Sequence, residues 1–329
     1  MANILVTGGG GFLGRHIVNL LLERGDQITV LNRSKYLDLE ERGVTCLTGD
    51  LRDAESVKNA VSGKDVVFHV AAKAGIWGPE QDYYGINVTG TENILSACKS
   101  EGVKKLIYTS SPSVAFGTEA IVNGDESLPY PDSYLTSYPK TKAIAERKVL
   151  EANSATLLTC ALRPHLIWGP GDNHLVPRIL EAAKSGKLMQ VGDGTNLVDV
   201  TYVENGALAH IQAADKLEEG SPVCGQAYFI GDTEPVNLWN WVNELLEKNN
   251  IPKITKAVSY TKAKKIGAVM EFFYNLLKLK GEPRMTRFVA AQLAKSHYFS
   301  HKKAYDHFGF DPQISNEEGL KRTLEWLKA

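Results

Sequence analysis

The first half of the chain alternates short apolar runs with longer segments in which apolar residues recur every three or four positions. The short runs are rich in β-branched residues and predict strands, whereas the periodic segments predict amphipathic helices between them. Each run is continuously apolar, so both faces of each strand are expected to be buried. The predicted strands occupy residues 3–6, 27–31, 44–47, 66–70 and 105–108. This order predicts a parallel sheet with helices on both sides.

After about residue 169 the pattern loosens, and further helices are predicted at residues 175–185, 238–248 and 316–327, with a strand near Tyr228. We therefore predict an α/β fold: a Rossmann-type doubly wound parallel sheet with a smaller C-terminal α/β substrate domain. Residues 1–168 are the predicted dinucleotide-binding domain, with a return segment near residues 195–230. Residues 169–329 are predicted to be mainly the substrate-binding domain.

Charge balance and cysteine content disfavour some classes of function and location. The 329 residues carry 37 Lys+Arg and 38 Asp+Glu, which gives a formal net charge of -1. This balance lacks the concentrated basic field that nucleic-acid binders use, so we expect no nucleic-acid partner. The 4 cysteines form no CxxC pair, and the first residues show no secretory signal pattern, which favours a cytoplasmic location.

A glycine-rich loop joins the first predicted strand to the first predicted helix. Residues 7–14 read Thr-Gly-Gly-Gly-Gly-Phe-Leu-Gly. Glycines let the backbone turn sharply and approach a pyrophosphate closely, and the helix N-terminus offers N–H groups and the positive end of its dipole. The spacing fits either Gly8-x-x-Gly11-x-x-Gly14 or Gly9-x-Gly11-x-x-Gly14, and it predicts a dinucleotide site.

The end of the second predicted strand indicates which dinucleotide is bound. NAD-specific sites usually place a carboxylate there for the ribose hydroxyls, whereas this chain has Asn32 followed by Arg33. A guanidinium can pair with a phosphate dianion through two hydrogen bonds. We therefore predict NADP (NADPH) as the cofactor, with NAD as the second choice.

The pattern Tyr-x-x-x-Lys occurs four times, and position distinguishes the copies. Tyr138 and Lys142 follow a predicted strand that ends in Thr-Ser-Ser, and Pro139 suits the first turn of a helix. Residues four apart share a helix face, so the Lys142 ammonium is expected to lower the pKa of the Tyr138 phenol and make it a usable general acid or base. The other pairs are interpreted as surface residues: Tyr260/Lys264, Tyr274/Lys278 and Tyr298/Lys302.

A serine hydroxyl at the strand end would hold a carbonyl oxygen while hydride comes from the nicotinamide. We predict Ser111 for this role, with Ser110 and Ser113 as alternatives. No metal is expected, because no cysteine cluster supports zinc. His69 is interpreted as structural, whereas His165 lies either near the substrate or in a structural position.

Residues 262–280 combine an apolar stripe with basic residues at both ends. This pattern is typical of a helix that lies on a membrane or lines a lipid pocket, and an ordinary amphipathic lid or domain helix is the alternative. If the segment lines a lipid pocket, its apolar side chains should cover the tails of the substrate. The side chains concerned are Ile266, Val269, Phe272, Phe273, Leu276 and Leu277.

Several strings resemble the extended short-chain dehydrogenases over nearly the whole chain. Besides the glycine loop and the Ser111, Tyr138 and Lys142 group, they are Asp-Leu at 50–51, His-Val-Ala-Ala at 69–72, Asn-Val-Thr-Gly-Thr at 87–91 and Leu-Arg-Pro at 162–164. Residues 71–78, 163–172 and 317–320 resemble the 3β-hydroxysteroid dehydrogenase branch. Within it they are most similar to the 2-alkyl-3-oxoalkanoate reductases of bacterial long-chain olefin synthesis. The segment after Ser111 lacks the acidic pair of the sugar-nucleotide dehydratases, so dehydratase activity is not expected.

The resemblance implies an NADPH-dependent, reversible reduction of the 3-oxo group of a long-chain 2-alkyl-3-oxoalkanoate in olefinic hydrocarbon biosynthesis. It implies a homodimer formed through helices near residues 87–98 and 139–151. The protein is expected in the cytoplasm, and a peripheral position on a membrane surface or association with other olefin-pathway enzymes is left open. The cofactor residues predicted from the loop and the resemblance are Gly8, Gly11, Phe12, Leu13, Gly14, Arg33, Asp50, Leu51, Ala71, Lys73, Tyr138, Lys142 and Pro164.

Other functions use part of the same pattern. A 3β-hydroxysteroid or sterol-4-carboxylate 3-dehydrogenase would need the same Ser, Tyr and Lys group. A nucleotide-sugar 4-epimerase should retain its nicotinamide cofactor tightly and need no added NADPH. A non-catalytic dinucleotide sensor should lack the group altogether, so its presence disfavours that class.

Overall fold

The computed structural model describes residues 1–328 and is built around a parallel sheet. The strands of the described residues are β1 (Asn3–Thr7), β2 (Gln27–Asn32), β3 (Thr45–Thr48), β4 (Val66–His69), β5 (Lys105–Thr109), β6 (Ile121–Gly124), β7 (Leu158–Pro164), β8 (Ile167–Trp168), β9 (Gln190–Val191), β10 (Leu197–Val198), β11 (Thr201–Tyr202), β12 (Gln226–Ile230), β13 (Val236–Asn237), β14 (Ala257–Val258) and β15 (His297–Phe299).

The helices follow the predicted alternation with the strands in the first half of the chain. They are α1 (Phe12–Glu23), α2 (Leu37–Glu40), α3 (Ala54–Val61), α4 (Glu80–Tyr83), α5 (Gly90–Glu101), α6 (Ser137–Glu151), α7 (Leu175–Lys184), α8 (Val203–Lys216), α9 (Leu238–Lys248), α10 (Tyr260–Leu276), α11 (Arg287–Ala294), α12 (Lys302–Phe308) and α13 (Asn316–Lys328). A π-helical segment, Tyr84–Thr89, leads into α5, and a short 3₁₀ helix, Pro112–Val114, follows β5.

Seven strands form the main sheet in the order β12-β7-β5-β4-β1-β2-β3, and every neighbouring pair is parallel. From β1 the strands β2 and β3 follow on one side, and β4, β5, β7 and β12 follow on the other, so the strand order reverses between β1 and β4. Parallel strands place their carboxyl ends along one edge, and the crevice above such a reversal is where doubly wound sheets bind ligands. The Rossmann-type parallel sheet predicted from the sequence is confirmed.

Both faces of the sheet are buried, as the continuous apolar runs require. Successive residues of β1 alternate between the two cores: Ile4 and Val6 pack in one with α1 and α8, and Leu5 packs in the other with α3, α5 and α6. A third apolar core lies in the second half of the chain around Trp168 and Trp241. The boundaries proposed for the two domains remain a prediction.

A smaller sheet brings distant segments to the rim of the main sheet. Its order is β13-β10-β15-β6, so β15 lies beside β6, which follows the carboxyl end of β5 in the chain. This pairing carries His297 and Phe299 to the part of the fold where β5 and β7 end.

Candidate active site

The glycine loop sits where β1 ends and α1 begins, at the carboxyl edge of the sheet. Gly8 has a φ of +70°, and a Cβ on it would lie 3.0 Å from the Ala71 Cα. A Cβ on Gly14 would lie 2.2 Å from the Gly8 carbonyl oxygen, so the helix can start this close to the loop only with glycine there. Gly8, Gly11 and Gly14 all line a large cavity, whereas Gly9 packs against Val30. The structure thus selects the Gly8-x-x-Gly11-x-x-Gly14 reading.

This large cavity has a volume of about 740 Å³ and runs along the carboxyl ends of the strands. The first turn of α1 faces it and, among the described residues, has neither an acidic side chain nor a side-chain cap. An uncapped helix N-terminus binds the charge of a pyrophosphate through its N–H groups and dipole. The predicted residues that line the cavity are Gly8, Gly11, Phe12, Leu13, Gly14, Arg33, Asp50, Leu51, Ala71, Lys73, Ser111, Tyr138, Lys142 and Pro164. The site therefore fits a dinucleotide.

Charges at one end of the large cavity distinguish Arg33 from its acidic neighbour. Asp50 is paired with Arg52 at 2.6 Å, and hydrogen bonds from Arg52 lower the pKa of the Asp50 carboxyl. Arg33 is exposed and forms no ion pair with any of residues 1–328. Asn32 is buried and accepts a hydrogen bond from the Gly10 N–H at 3.2 Å. The guanidinium of Arg33 is thus available to an anion at this end.

The predicted catalytic residues converge from two elements. Ser111 follows β5, and Tyr138 and Lys142 lie one turn apart on α6. The Lys142 ammonium donates a hydrogen bond to the Thr109 carbonyl oxygen at 2.5 Å and lies 4.1 Å from the centroid of the Tyr108 ring. All three predicted residues line the large cavity, so the structure brings them together beside the glycine loop.

Burial sets the protonation of this group. Desolvation raises the pKa of the Tyr138 phenol above 10.0, and a hydrogen bond with Ser111 only partly opposes it. Desolvation lowers the pKa of Lys142 to about 7. The expected lowering of the Tyr138 pKa is wrong for this arrangement, because the Lys142 ammonium is directed at the Thr109 carbonyl. Tyr138 is therefore protonated at neutral pH, which is the state of a proton donor.

A small cavity of about 190 Å³ adjoins the large one. Both cavities are lined by Ser111, Tyr138, Pro164 and Leu166, so the hydroxyls of Ser111 and Tyr138 lie at the junction. The other lining residues are Gly75, Ile76, Pro112, Ser113, Phe116, His165, Phe288, Gln292, His297 and Phe299. Among the three candidate serines, Ser110 lines only the large cavity and Ser113 only the small one. This placement favours Ser111.

The junction contains a strained residue. Leu166 has a φ of 40°, in the left-handed region that β-branched and other bulky side chains rarely adopt. Strain of this kind persists where the surrounding structure fixes it, and it concentrates at functional sites. Pro164, the last residue of β7, also lines both cavities, so the strained backbone lies at their junction.

Two interactions that the sequence analysis did not assign hold the site in place. Glu146, one turn beyond Lys142 on α6, forms a fully buried ion pair with Arg163 of β7 at 2.7 Å. Asn87 accepts a hydrogen bond from the Lys73 N–H at 2.7 Å and donates to the Thr141 hydroxyl at 3.1 Å, which ties the loop after β4 to α6. The four-residue spacing from Lys142 to Glu146 was the available sequence signal for the first of these.

The histidines separate into structural and cavity-lining groups. His69 is buried, and its two ring nitrogens contact the Thr7 and Thr91 hydroxyls at 2.8 and 2.9 Å, which makes it structural. His165 lines the small cavity, as a residue near the substrate would if the substrate binds there. His297 and His301 are four residues apart, but within residues 1–328 no three His, Cys, Asp or Glu side chains group as metal ligands.

The lipid-pocket interpretation of residues 262–280 is wrong in this structure. The segment forms most of α10, and Phe272 and Phe273 are 60% and 48% exposed. None of the apolar side chains of the predicted stripe lines either cavity in the described residues, because the small cavity is covered instead by Phe288 of α11 and Phe299 of β15. The three other Tyr-x-x-x-Lys pairs also lie outside both cavities.

Comparison with known proteins identifies the family. A family model described as "3-beta hydroxysteroid dehydrogenase/isomerase family" matches residues 5–258. The chain belongs to this family. It is 49% identical over 321 residues to a 2-alkyl-3-oxoalkanoate reductase of Stenotrophomonas maltophilia, covering 97% of both chains. It is 46% identical to a 2-alkyl-3-oxoalkanoate reductase of Shewanella oneidensis, covering 98% of this chain and 85% of that one.

More distant relatives and solved structures agree with this assignment. A sterol-4-alpha-carboxylate 3-dehydrogenase, decarboxylating, of Mus musculus is 35% identical over 97% of this chain and 89% of its own. The solved structure of MoeE5 in complex with UDP-glucose and NAD has a TM-score of 0.76 at 25% identity, covering 99% of this chain and 98% of that chain. The prediction of an NAD(P)-dependent oxidoreductase that acts on an alcohol or ketone is confirmed. A nicotinamide dinucleotide is its cofactor.

Proposed function

We propose that this member of the family is an NADPH-dependent reductase that converts the 3-oxo group of a long-chain 2-alkyl-3-oxoalkanoate to the 3-hydroxyl group, reversibly, in olefinic hydrocarbon biosynthesis. The observation that carries this proposal is the position of Ser111 and Tyr138 at the junction of the two cavities. A carbonyl placed there would face a dinucleotide on one side and occupy the small cavity on the other.

The residues of the chain then have separate tasks. The Ser111 hydroxyl holds the carbonyl oxygen, and Tyr138, kept protonated by burial, gives its phenolic proton to that oxygen. The Lys142 amine lies one helix turn from Tyr138 and is held by the Thr109 carbonyl oxygen. The negative charge of the phenolate favours the ammonium form of Lys142, which then stabilises that phenolate. The nicotinamide supplies the hydride to the carbonyl carbon when it is bound. In the reverse direction the phenolate takes the proton back.

The preference for NADPH is proposed from Arg33. Its exposed guanidinium lines the large cavity and has no ion-pair partner among the described residues, whereas the carboxylate of Asp50, which lines the same cavity, is engaged with Arg52. A 2′-phosphate would pair with this guanidinium. NAD is the second choice.

The substrate class is supported by a shared feature in the names of the relatives. A 2-alkyl-3-oxoalkanoate carries its carboxylate on the carbon next to the one that bears oxygen, and so does a sterol-4-carboxylate that is oxidised at position 3. We propose a substrate of this kind, with the sterol acid as the alternative. The small cavity, at about 190 Å³, lies below the roughly 300–1,000 Å³ of pockets that enclose drug-sized ligands, so it accepts the reactive head and not two long tails.

The test is a screen of NADPH oxidation by the purified protein. The compounds are 3-oxo acids with and without a long 2-alkyl branch, steroids with and without a 4-carboxylate, and UDP-sugars. We expect turnover of the 2-alkyl-3-oxo acids with free exchange of cofactor. Turnover of only the sterol acids would favour the alternative, and UDP-sugar epimerisation without added NADPH would contradict the proposal.

We also propose that the protein is a homodimer formed through α5 and α6, as the family resemblance implies. Sedimentation at micromolar concentration should give about twice the monomer mass of 36.1 kDa. A monomer under these conditions would contradict this part of the proposal.

A further inference from the structure

Two histidines that line the small cavity, His165 and His297, each have an Nδ1 atom that is unpaired in the described part of the chain. His165 and His297 are 7% and 1% exposed, and their rings form an edge-to-face pair with centroids 4.8 Å apart. Within residues 1–328, neither Nδ1 atom has a hydrogen-bond partner. Buried polar atoms are nearly always paired in native proteins, so two unpaired imidazole nitrogens beside a cavity indicate a missing partner.

The rest of the cavity explains what that partner must be. Phe116, Phe288 and Phe299 form part of its apolar wall, and a carboxylate buried against them without donors would be strongly disfavoured. His297 Nε2 lies 2.8 Å from the Gln292 carbonyl oxygen, which places one N–H there and leaves Nδ1 able to take a second proton. An imidazolium, or a neutral tautomer with its N–H inward, donates to an anion.

The Asp199 carboxylate is a charged group close to the pair, and within residues 1–328 only its Oδ2 is engaged, because its Oδ1 has no hydrogen-bond partner. The buried Asp199 carboxylate lies 3.4 Å from His301 Nε2 and accepts a hydrogen bond from the Phe299 N–H at 2.7 Å. Burial, together with His297 and His301, lowers the pKa of His165 well below its ordinary value, so this ring is neutral before a ligand arrives. An entering carboxylate would favour protonation of the pair.

We propose that His165 and His297 bind the carboxylate of the substrate in the small cavity, next to the carbonyl that Ser111 and Tyr138 hold. This inference rests on the proposed function and adds the residues that recognise the substrate's carboxylate. The carboxylate on the neighbouring carbon then fixes which carbonyl of the molecule meets Tyr138. Long tails extend outward, since the cavity is filled by the head.

The test compares charged and neutral forms of one compound in the oxidative direction, with NADP⁺. The substrates are a 2-alkyl-3-hydroxy acid and its methyl ester, and the variants are His165→Asn and His297→Asn. We expect the KM of the acid to rise by about 10- to 100-fold in either variant, the range for a lost hydrogen bond to a charged group. The KM of the ester should change less than about 3-fold. The control is Phe288→Leu, at an apolar residue of the same cavity, and it should change the KM of the acid and of the ester by similar factors.

The outcomes separate the two proposals. Wild-type protein that oxidises neither substrate would contradict the proposed function and, with it, the inference. The carboxylate site is overturned if the wild type has the same KM for acid and ester, or if the variants raise both KM values equally. Either result leaves the proposed function standing. Calorimetric binding of an unreactive 2-alkylalkanoate to the NADP⁺ complex gives a measurement independent of turnover. Should His165→Asn fail to fold, His297→Asn and His297→Gln carry the same comparison.

A second observation concerns the exposed face of α10 and the turn after it. Half of the large apolar side chains that the described residues expose lie within residues 266–279. They are Ile266, Val269, Phe272, Phe273, Leu276, Leu277 and Leu279. A contiguous exposed apolar surface of this kind marks an interaction site rather than a random surface.

The charges beside this apolar face indicate what it binds. Lysines flank the apolar face at both ends, at positions 262, 264, 265, 278 and 280. The one acidic residue between them, Glu271, is buried and bonded to Arg287 at 2.6 Å, so it does not reduce the positive charge of the exposed face. Apolar residues between lysines match the interface of an anionic bilayer, where the lysines meet lipid phosphates. We infer that this face docks on an anionic membrane surface. No helix within residues 1–328 is long and apolar enough to cross a bilayer.

Sedimentation with vesicles tests this docking. The full chain should pellet with phosphatidylserine-containing vesicles at least about 10-fold more strongly than with pure phosphatidylcholine, and 0.5 M salt should weaken binding. Phe272→Ser combined with Leu276→Ser should abolish binding and leave turnover of short substrates intact, whereas Val122→Ser, at an exposed apolar residue elsewhere, should have no effect. Absence of vesicle binding, or self-association that the double variant removes, would overturn the inference.

Discussion

The substitution Glu146→Gln tests how strongly the buried ion pair between Glu146 and Arg163 stabilises the fold around the site. The Glu146 carboxylate accepts hydrogen bonds from Arg163 Nε and Nη2 at 2.9 and 2.7 Å and from the Tyr130 hydroxyl at 2.6 Å. Burial alone would raise the pKa of Glu146, but the Arg163 guanidinium outweighs it and holds the pKa below 4.5. Glutamine keeps the shape and removes the charge, which leaves the Arg163 guanidinium buried without a counterion.

Breaking a buried pair by removing one partner costs about 3–5 kcal/mol. With an entropy of unfolding of about 2.1 cal/mol/K per residue over 329 residues, that range lowers Tm by roughly 4–7 °C. Glu146 is also the group that raises the pKa of Lys142 against desolvation, so its removal should shift the Lys142 pKa below about 7.

Thermal unfolding followed by circular dichroism measures the effect, with Glu151→Gln as the matched control. Glu151 is exposed at the end of the same helix, so Glu151→Gln should shift Tm by less than about 1 °C. The double change of Glu146→Leu and Arg163→Met should recover much of the loss, because apolar residues can replace a buried pair at little cost. If Glu146→Gln melts within 1 °C of Glu151→Gln, the pair does not stabilise the fold and the reasoning is wrong.

Three further predictions address the cofactor and the chemistry. Tyr138→Phe should abolish turnover while NADPH still binds, since it deletes only the proton donor, and Tyr274→Phe should be mild; comparable losses in steady-state rates would mean that the wrong pair was chosen. Arg33→Ala should weaken NADPH binding about 10- to 100-fold and leave NADH little changed, and equal effects in fluorescence titrations of both would refute the phosphate contact. Gly14→Ala should remove dinucleotide binding, because its Cβ would lie 2.2 Å from a loop carbonyl oxygen, whereas Gly117→Ala, with no atom within 4 Å, should bind normally.

The sequence predicted those features that short-range patterns determine. Continuous apolar runs identified β1 to β5 and the region of β12 but not β7, and the glycine loop identified the first helix N-terminus, because these signals depend on residues that are neighbours in the chain. The loop contained two possible glycine spacings, and only the contact between Gly9 and Val30 separated them. Such a contact joins the loop after β1 to β2 and has no local signal.

The protonation of the site could not be read from spacing. Tyr138 and Lys142 are four residues apart as predicted, but the Lys142 ammonium is directed to Thr109 on another element, and burial then dominates both pKa values. The pairing of His165 with His297 likewise depends on β15 returning to the rim of the sheet, 132 residues farther along the chain. Contacts of this range follow from packing and not from periodicity.

The position of β12 at the border of the main sheet has a consequence for synthesis of the chain. Until residues 226–230 leave the ribosome, β7 is an unpaired edge strand whose last six residues, Arg163 among them, are all buried in the finished fold. At about 5–20 residues per second the delay is roughly 3–12 s, during which this edge can pair with another chain. A fragment cut at residue 168 keeps that edge permanently and should aggregate, whereas one that extends past residue 230 covers it.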